Sequence, residues 1–160
     1  MRYAINHNDY ALYRYNADWS NPTVLWRTDN AYRMLGITYD PSGNNGNGSF
    51  WFGSWGNGTI YEYSMGGQIL KSFAAGDNHT TALALDHADD TLWGFGWDRK
   101  FRQYNKSGQI LQTLTPSQIS QGVLSDSHYF ISAEFNYAIP EPGTFILLGF
   151  AFIILFYKKN

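Results

Sequence analysis

The stretch Phe50-Trp-Phe-Gly-Ser-Trp-Gly-Asn-Gly-Thr-Ile-Tyr-Glu-Tyr-Ser-Met-Gly-Gly-Gln-Ile-Leu-Lys-Ser-Phe73 returns, without a gap, as residues 91–114. Gly53 falls on Gly94, Ile60 on Phe101, Tyr63 on Tyr104, and Gly67-Gln-Ile-Leu70 on Gly108-Gln-Ile-Leu111, at an offset of 41 residues. Upstream, Gly36-Ile-Thr-Tyr-Asp40 answers Ala82-Leu-Ala-Leu-Asp86, with a five-residue insertion within Pro41 to Ser49. Apolar and aromatic runs bounded by Gly, Asn, Asp and Ser are what strands and tight turns require. Each unit therefore reads as four short strands: one ending in Asp, one carrying Trp and Phe, one carrying Tyr, and one after Gly-Gln.

A period near forty with four strands per unit is the signature of a propeller blade. A partial unit precedes the two full ones. Leu12-Tyr-Arg-Tyr-Asn16 resembles the third strand, Val24-Leu-Trp26 the fourth and Tyr3-Ala-Ile5 the second. Another follows, with Gly122-Val-Leu-Ser-Asp126 read as a first strand and Tyr129-Phe-Ile-Ser-Ala133 as a second. The expected layout is an all-β, partial or minimal β-propeller over 1–137: partial blade 1–28, blades 34–73 and 80–114, and partial blade 121–137. Two readings of the count stay open. Either the terminal partial blades join into a minimal ring, or the chain is an open arc with blades missing upstream; the arc is preferred. The repeats resemble propellers of the NHL or YVTN type, carried by Tyr61-Glu-Tyr-Ser-Met-Gly-Gly-Gln-Ile-Leu70 and Arg102-Gln-Tyr-Asn-Lys-Ser-Gly-Gln-Ile-Leu111. No Gly-His and Trp-Asp pair marks a WD40 blade.

Composition narrows the class. The 160 residues carry a formal net charge of −2, with 18% aromatic and 15% charged residues and no cysteine. A chain so aromatic is neither disordered nor a helical bundle. Its charge gives no footprint for nucleic acid, and disulfides and thiolate zinc sites are excluded.

Residues 138–160 are of another kind. Ile139-Pro-Glu-Pro-Gly143 is followed by an uncharged run from Thr144 to Tyr157 and then Lys158-Lys-Asn160. Prolines at 140 and 142 cut the run off from what precedes it, and the run has no polar face to show water. The 14 residues of the run reach about 21 Å as a helix, and counting from Ile139 gives about 28 Å, against a hydrocarbon core of roughly 30 Å. A single C-terminal transmembrane helix is expected, with Lys158 and Lys159 on the cytoplasmic side and the propeller outside. The tail resembles the PEP-CTERM sorting signal of Gram-negative bacteria, with Pro140, Glu141, Pro142 and Gly143 as sorting motif and Lys158-Lys159 in place of the usual Arg cluster as membrane stop. That resemblance implies an exosortase as processing partner, a place in the bacterial cell envelope, release or surface attachment after processing, and a link to exopolysaccharide and biofilm. Met1 to Asp9 has no apolar core of a signal peptide, so the expectation is a truncated form of a longer exported precursor.

Candidate sites are few. Asp40, Asn44, Asn45 and Asn47 lie on a loop rich in oxygen and glycine. Its first reading is a long turn needing φ > 0; calcium is the alternative, although the spacing is not that of an EF-hand. Asp86, His87, Asp89 and Asp90 occupy the matching turn of the next blade and read as turn residues. His7, His79, His87 and His128 are scattered, with no triad arrangement, so no catalytic residue is assigned. Trp51, Trp55, Trp93 and Trp97 read first as packing residues; Trp55 and Trp97, placed before turns, are the candidates for stacking on an extracellular polysaccharide. The function expected is that of a non-enzymatic binding or structural protein of the envelope. The alternatives are a glycan-active enzyme on a propeller scaffold, and a plain single-pass membrane protein with a coincidental Pro-Glu-Pro.

Overall fold

The computed structural model describes residues 1–6, 8–28, 33–123 and 125–127. Within them the protein is all-β, its helical segments being short ones at Gly43–Gly46 and Pro116–Ile119. Sheet I is β1 (Arg2–Asn6), β2 (Ala11–Tyr15) and β3 (Thr23–Arg27). Sheet II is β4 (Met34–Asp40), β5 (Ser49–Ser54), β6 (Thr59–Ser64) and β7 (Ile69–Ala74). Sheet III is β8 (Thr80–Asp86), β9 (Thr91–Gly96), β10 (Phe101–Tyr104) and β11 (Ile110–Leu114). Each is an antiparallel meander in chain order, and together they resemble consecutive propeller blades.

The hairpin between third and fourth strands is built alike in all three sheets. The amide of Trp19 donates to Asn16 O (3.1 Å), that of Gly67 to Ser64 O (3.0 Å) and that of Gly108 to Asn105 O (3.0 Å). The donor residue has positive φ each time, 66°, 83° and 92°. Glycine adopts that conformation without penalty; sheet I places a tryptophan there.

Two apolar interfaces hold the sheets face to face. Between I and II lie Leu12, Tyr3, Ile5 and Trp26 from one side and Phe50, Phe52, Tyr61 and Tyr63 from the other. Between II and III, Trp51, Ile60 and Phe73 meet Leu83, Leu85, Leu92 and Tyr104. At the inner strands the backbones come close: a Cβ on Gly36 would lie 2.5 Å from Leu83 N, and Leu85 N donates to Thr38 Oγ1 (3.1 Å).

Pairing corrects the gapless repeat in one strand. Asp40 pairs with Ser49 and Gly53 with Ile60, whereas Asp86 pairs with Thr91 and Phe95 with Phe101. The second strand is thus displaced by 42 residues, not 41, so Trp51 matches Trp93, Trp55 matches Trp97, and Gly53 matches Phe95. The first hairpin insertion is four residues, and sheet III shortens its next hairpin by one, which restores the offset. A one-residue slip moves every side chain to the opposite face; with this correction equivalent side chains face equivalent neighbours.

Gly122, Val123 and Ser125–Ser127 form turns or irregular backbone rather than the expected first strand. The remainder of partial blade 121–137, together with the whole of 138–160, lies outside the described residues. Among the described residues no helix is long and apolar enough to cross a membrane; the expected span and sorting motif belong to the part not described.

Candidate functional site

One rim of the sheets carries the turns after the second strands and the β7–β8 connection. Trp55 leaves the end of β5 and Trp97 the end of β9, so both tryptophans occupy the same place in successive blades. Their backbones are tied alike: Trp55 N donates to Arg33 O (3.0 Å) and Trp97 N to His79 O (2.9 Å). The Trp55 ring stacks on the His79 imidazole (4.5 Å, 16° between planes) and meets Trp97 edge to face (4.8 Å). His79 Nδ1 lies 2.5 Å from Trp55 O; a carbonyl only accepts, so Nδ1 carries a hydrogen and donates. Trp97 is 47% exposed.

Trp97 and His79 border an open cleft of about 450 Å³ with Gly76, Asp77, Asn78 and Asp98. Its carboxylates are already engaged. Asp77 accepts from Trp97 N (3.0 Å) and Thr80 Oγ1 (3.3 Å). Asp98 takes a two-pronged bond from Arg102, at 3.0 and 2.5 Å. Burial raises the Asp98 pKa, but the Arg102 hydrogen bonds and charge outweigh it and hold the carboxyl below its ordinary value. The cleft therefore combines an indole surface with fixed acceptors and one amide, Asn78.

On the opposite rim, Asp40 is a buried anchor. Its Oδ1 accepts from Ser42 N (3.0 Å), Ser42 Oγ (2.8 Å) and Gly43 N (3.0 Å). Its Oδ2 accepts from Trp51 Nε1 (3.3 Å) and from Lys106 of sheet III (2.7 Å). Burial works against ionisation here too, but the hydrogen bonds from Lys106 and Ser42 and the Lys106 charge keep the carboxyl below its ordinary value. Lys106 also pairs with Asp90, and its ammonium stands where the calcium reading would set a cation. Asn44 and Asn45 have φ of 51° and 57°, as a turn requires. Among the described residues no group of three or more acidic or histidine side chains is arranged to hold a metal. Asp86 caps its own turn through Ala88 N (2.9 Å), and Asp89 accepts from Thr91 N (3.1 Å). His7 and His128 lie outside the described residues, as do Pro140, Glu141, Pro142, Gly143, Lys158 and Lys159.

Sequence reasoning placed Trp55 and Trp97 near a rim but missed that His79 joins them. The signal was present: Trp51-x3-Trp55 and Trp93-x3-Trp97 coincide at the 42-residue offset.

No protein-family model matches the sequence, and comparison with curated proteins gave no match. Among solved structures, the chain is similar to a catalytically inactive virginiamycin B lyase from Staphylococcus aureus with quinupristin: 16% identity and TM-score 0.52, over 75% of this chain and 39% of that one. A selenomethionine-substituted form of that lyase gives 16% identity and 0.52, over 76% and 43%. A chain of a nidogen/laminin complex gives 15% identity and 0.57, over 84% and 48%. These similarities carry the fold, that of β-propeller blades. The chain spans less than half the length of each of these three solved chains.

Proposed function

We propose that this protein is a non-enzymatic binding component of the bacterial envelope that holds extracellular polysaccharide on its tryptophan-bearing rim. The observation that carries the reading is Trp97, nearly half exposed at the mouth of a polar cleft and fixed by Trp55 and by its own backbone amide. A flat ring held rigid beside hydrogen-bond acceptors suits a sugar, which offers an apolar C–H face and a rim of hydroxyls. Binding is favoured over hydrolysis because Asp77 and Asp98 spend their oxygens on Thr80, Trp97 and Arg102. A glycosidase needs two carboxyl groups committed to the scissile bond.

The tail supplies the address in this reading. Pro140-Glu141-Pro142, the apolar run and Lys158-Lys159 stand in the order of a sorting signal read by an exosortase, which would place the sheets outside the cytoplasm.

Affinity electrophoresis against neutral exopolysaccharides tests the rim. The native chain is expected to be retarded, and Trp97→Ala to lose about tenfold in affinity, as removal of a stacking anchor does, with an unchanged unfolding midpoint. Equal retardation of both chains would overturn the reading. Mass spectrometry of the protein from its native envelope tests the address: a mature end near Pro140–Gly143 supports it, and an end at Asn160 in the mature protein sinks it.

A further inference from the structure

Sheets II and III hold one polar site in common, complete in III and incomplete in II. In sheet III, Gln103 Nε2 donates to Asp89 Oδ2 (2.9 Å) and to Thr91 Oγ1 (2.8 Å), and Gln103 Oε1 accepts from Gln112 Nε2 (2.8 Å). Thr91 Oγ1 donates in turn to Asp89 Oδ1 (2.6 Å). One amide nitrogen thus joins two oxygens.

In sheet II the same places hold Glu62, Lys71 and Ser49. Glu62 pairs with Lys71 as Gln103 does with Gln112, and Ser49 with Asp40 as Thr91 does with Asp86. The nitrogen donor is gone. Ser49 Oγ is buried without a hydrogen-bond partner among the described residues. Glu62 is 6% exposed, its carboxylate accepts no hydrogen bond among the described residues, and the Lys71 ammonium stands 3.8 Å away. A carboxylate so deeply placed is costly without hydrogen bonds. Lys71 is not committed to it: the side chain is half-exposed, and its ammonium donates to Lys106 O (3.3 Å).

Glu62 opens onto a cleft of about 430 Å³ between the two sheets, on the rim that carries Asp40. Leu70 gives it an apolar wall, 41% exposed. Asn44 and Asn45 also line it, and their side-chain amides make no hydrogen bond among the described residues. The lining charges are Asp40, Glu62 and Asp90 against Lys71 and Lys106. Lys106 is held by Asp40 and Asp90, so the balance is negative and falls on Glu62.

We propose that this cleft binds a primary alkylammonium, whose N–H groups bond Glu62 and the amide oxygens of Asn44 and Asn45 while its carbon chain lies along Leu70. The ligand supplies what Gln103 supplies in sheet III, a nitrogen donor among oxygens, and adds the charge that Glu62 calls for. A hydrogen bond between ionised partners is the strong kind, and Lys71 stands too far off to make it. The cleft lies on the rim opposite Trp97 and is independent of the polysaccharide reading.

Isothermal titration calorimetry on the full chain in detergent tests the site, with putrescine as probe and butanediol as its uncharged counterpart. Putrescine is expected to bind and butanediol to give no heat. Glu62→Gln gives sheet II the side chain of sheet III and is expected to weaken putrescine about tenfold, with an unchanged unfolding midpoint. Lys71→Gln removes the rival ammonium from a half-exposed place and is expected to tighten putrescine about threefold. Glucosamine and Nα-acetyl-lysine amide carry the same ammonium; the tightest of the three identifies the source as a free amine, an amino sugar or a protein side chain. Absence of binding by all three overturns the proposal, as does equal binding of butanediol or an affinity unmoved by Glu62→Gln. Should that variant not fold, an affinity unmoved by Lys71→Gln overturns it instead.

Discussion

Asp40 shows how much one side chain can tie together. It closes its own hairpin through Ser42 and Gly43, orients Trp51 in the core, and receives Lys106 from the next sheet. Replacing it with asparagine keeps the size and removes the charge, leaving Lys106 only the exposed Asp90. Breaking a buried pair from one side costs about 3 kcal/mol, and Asp40→Asn should lower the urea midpoint accordingly. The pH dependence has a definite sign. The folded carboxyl lies below its ordinary 3.8, so its stabilisation is complete above that value and is lost as pH falls through the lower folded one. Urea midpoints measured down the acid limb should fall for the native chain and flatten for Asp40→Asn. The turn role of Asp40 was legible from its place at a strand end among Asn and Gly. Its partner Lys106 was not, because sequence near Asp40 says nothing about a residue brought close only by sheet packing.

At the level of elements, the four strands per unit were legible because turn residues bracket each apolar run. The face each strand presents was less so. The match of Gly53 with Gly94 fixed the gapless offset, but those glycines do different work: Gly53 admits Thr80 of the next sheet, and Gly94 makes room for Tyr104. The five extra residues of sheet II are divided four and one between two hairpins, a division that leaves no trace in an ungapped comparison. The paired tryptophans were the better guide, since their indoles must point to equivalent neighbours. Two left-handed glycines, Gly108 in a hairpin and Gly122 after the helix Pro116–Ile119, give a test that separates the joint from the backbone. Gly108 and Gly122 have φ of 92° and 86°, but a Cβ on Gly108 would meet the Phe73 ring and one on Gly122 would meet nothing within 4 Å. Alanine at either pays for the left-handed backbone, about 1 kcal/mol. Gly108→Ala should cost about 2 kcal/mol more, measured as the difference between their denaturation midpoints.

Over the described chain, burial falls off sharply at the fourth strands of sheets II and III. Every residue of β8 from Thr80 to Leu85 is buried, whereas β7 and β11 are mostly exposed. Local opening follows burial, so amide exchange followed by mass spectrometry should be slowest in β5 and β8 and fastest in β7 and β11. Uniform protection across a sheet would contradict it. The joint between sheets has a consequence beyond stability. At the joints of I with II and of II with III, a fourth-strand aromatic rests on the hairpin glycine of the following sheet, Trp26 on Gly67 and Phe73 on Gly108. A gene that lost the codons of sheet II through unequal recombination would bring Gly108 onto Trp26, where Gly67 now rests, but would set Thr80 against Ile5, which holds in sheet I the place that Gly53 keeps clear in sheet II. Loss of a whole unit would therefore keep the hairpin contact at the cost of repacking the inner strands, while a half-unit loss would leave Trp26 facing no glycine at all.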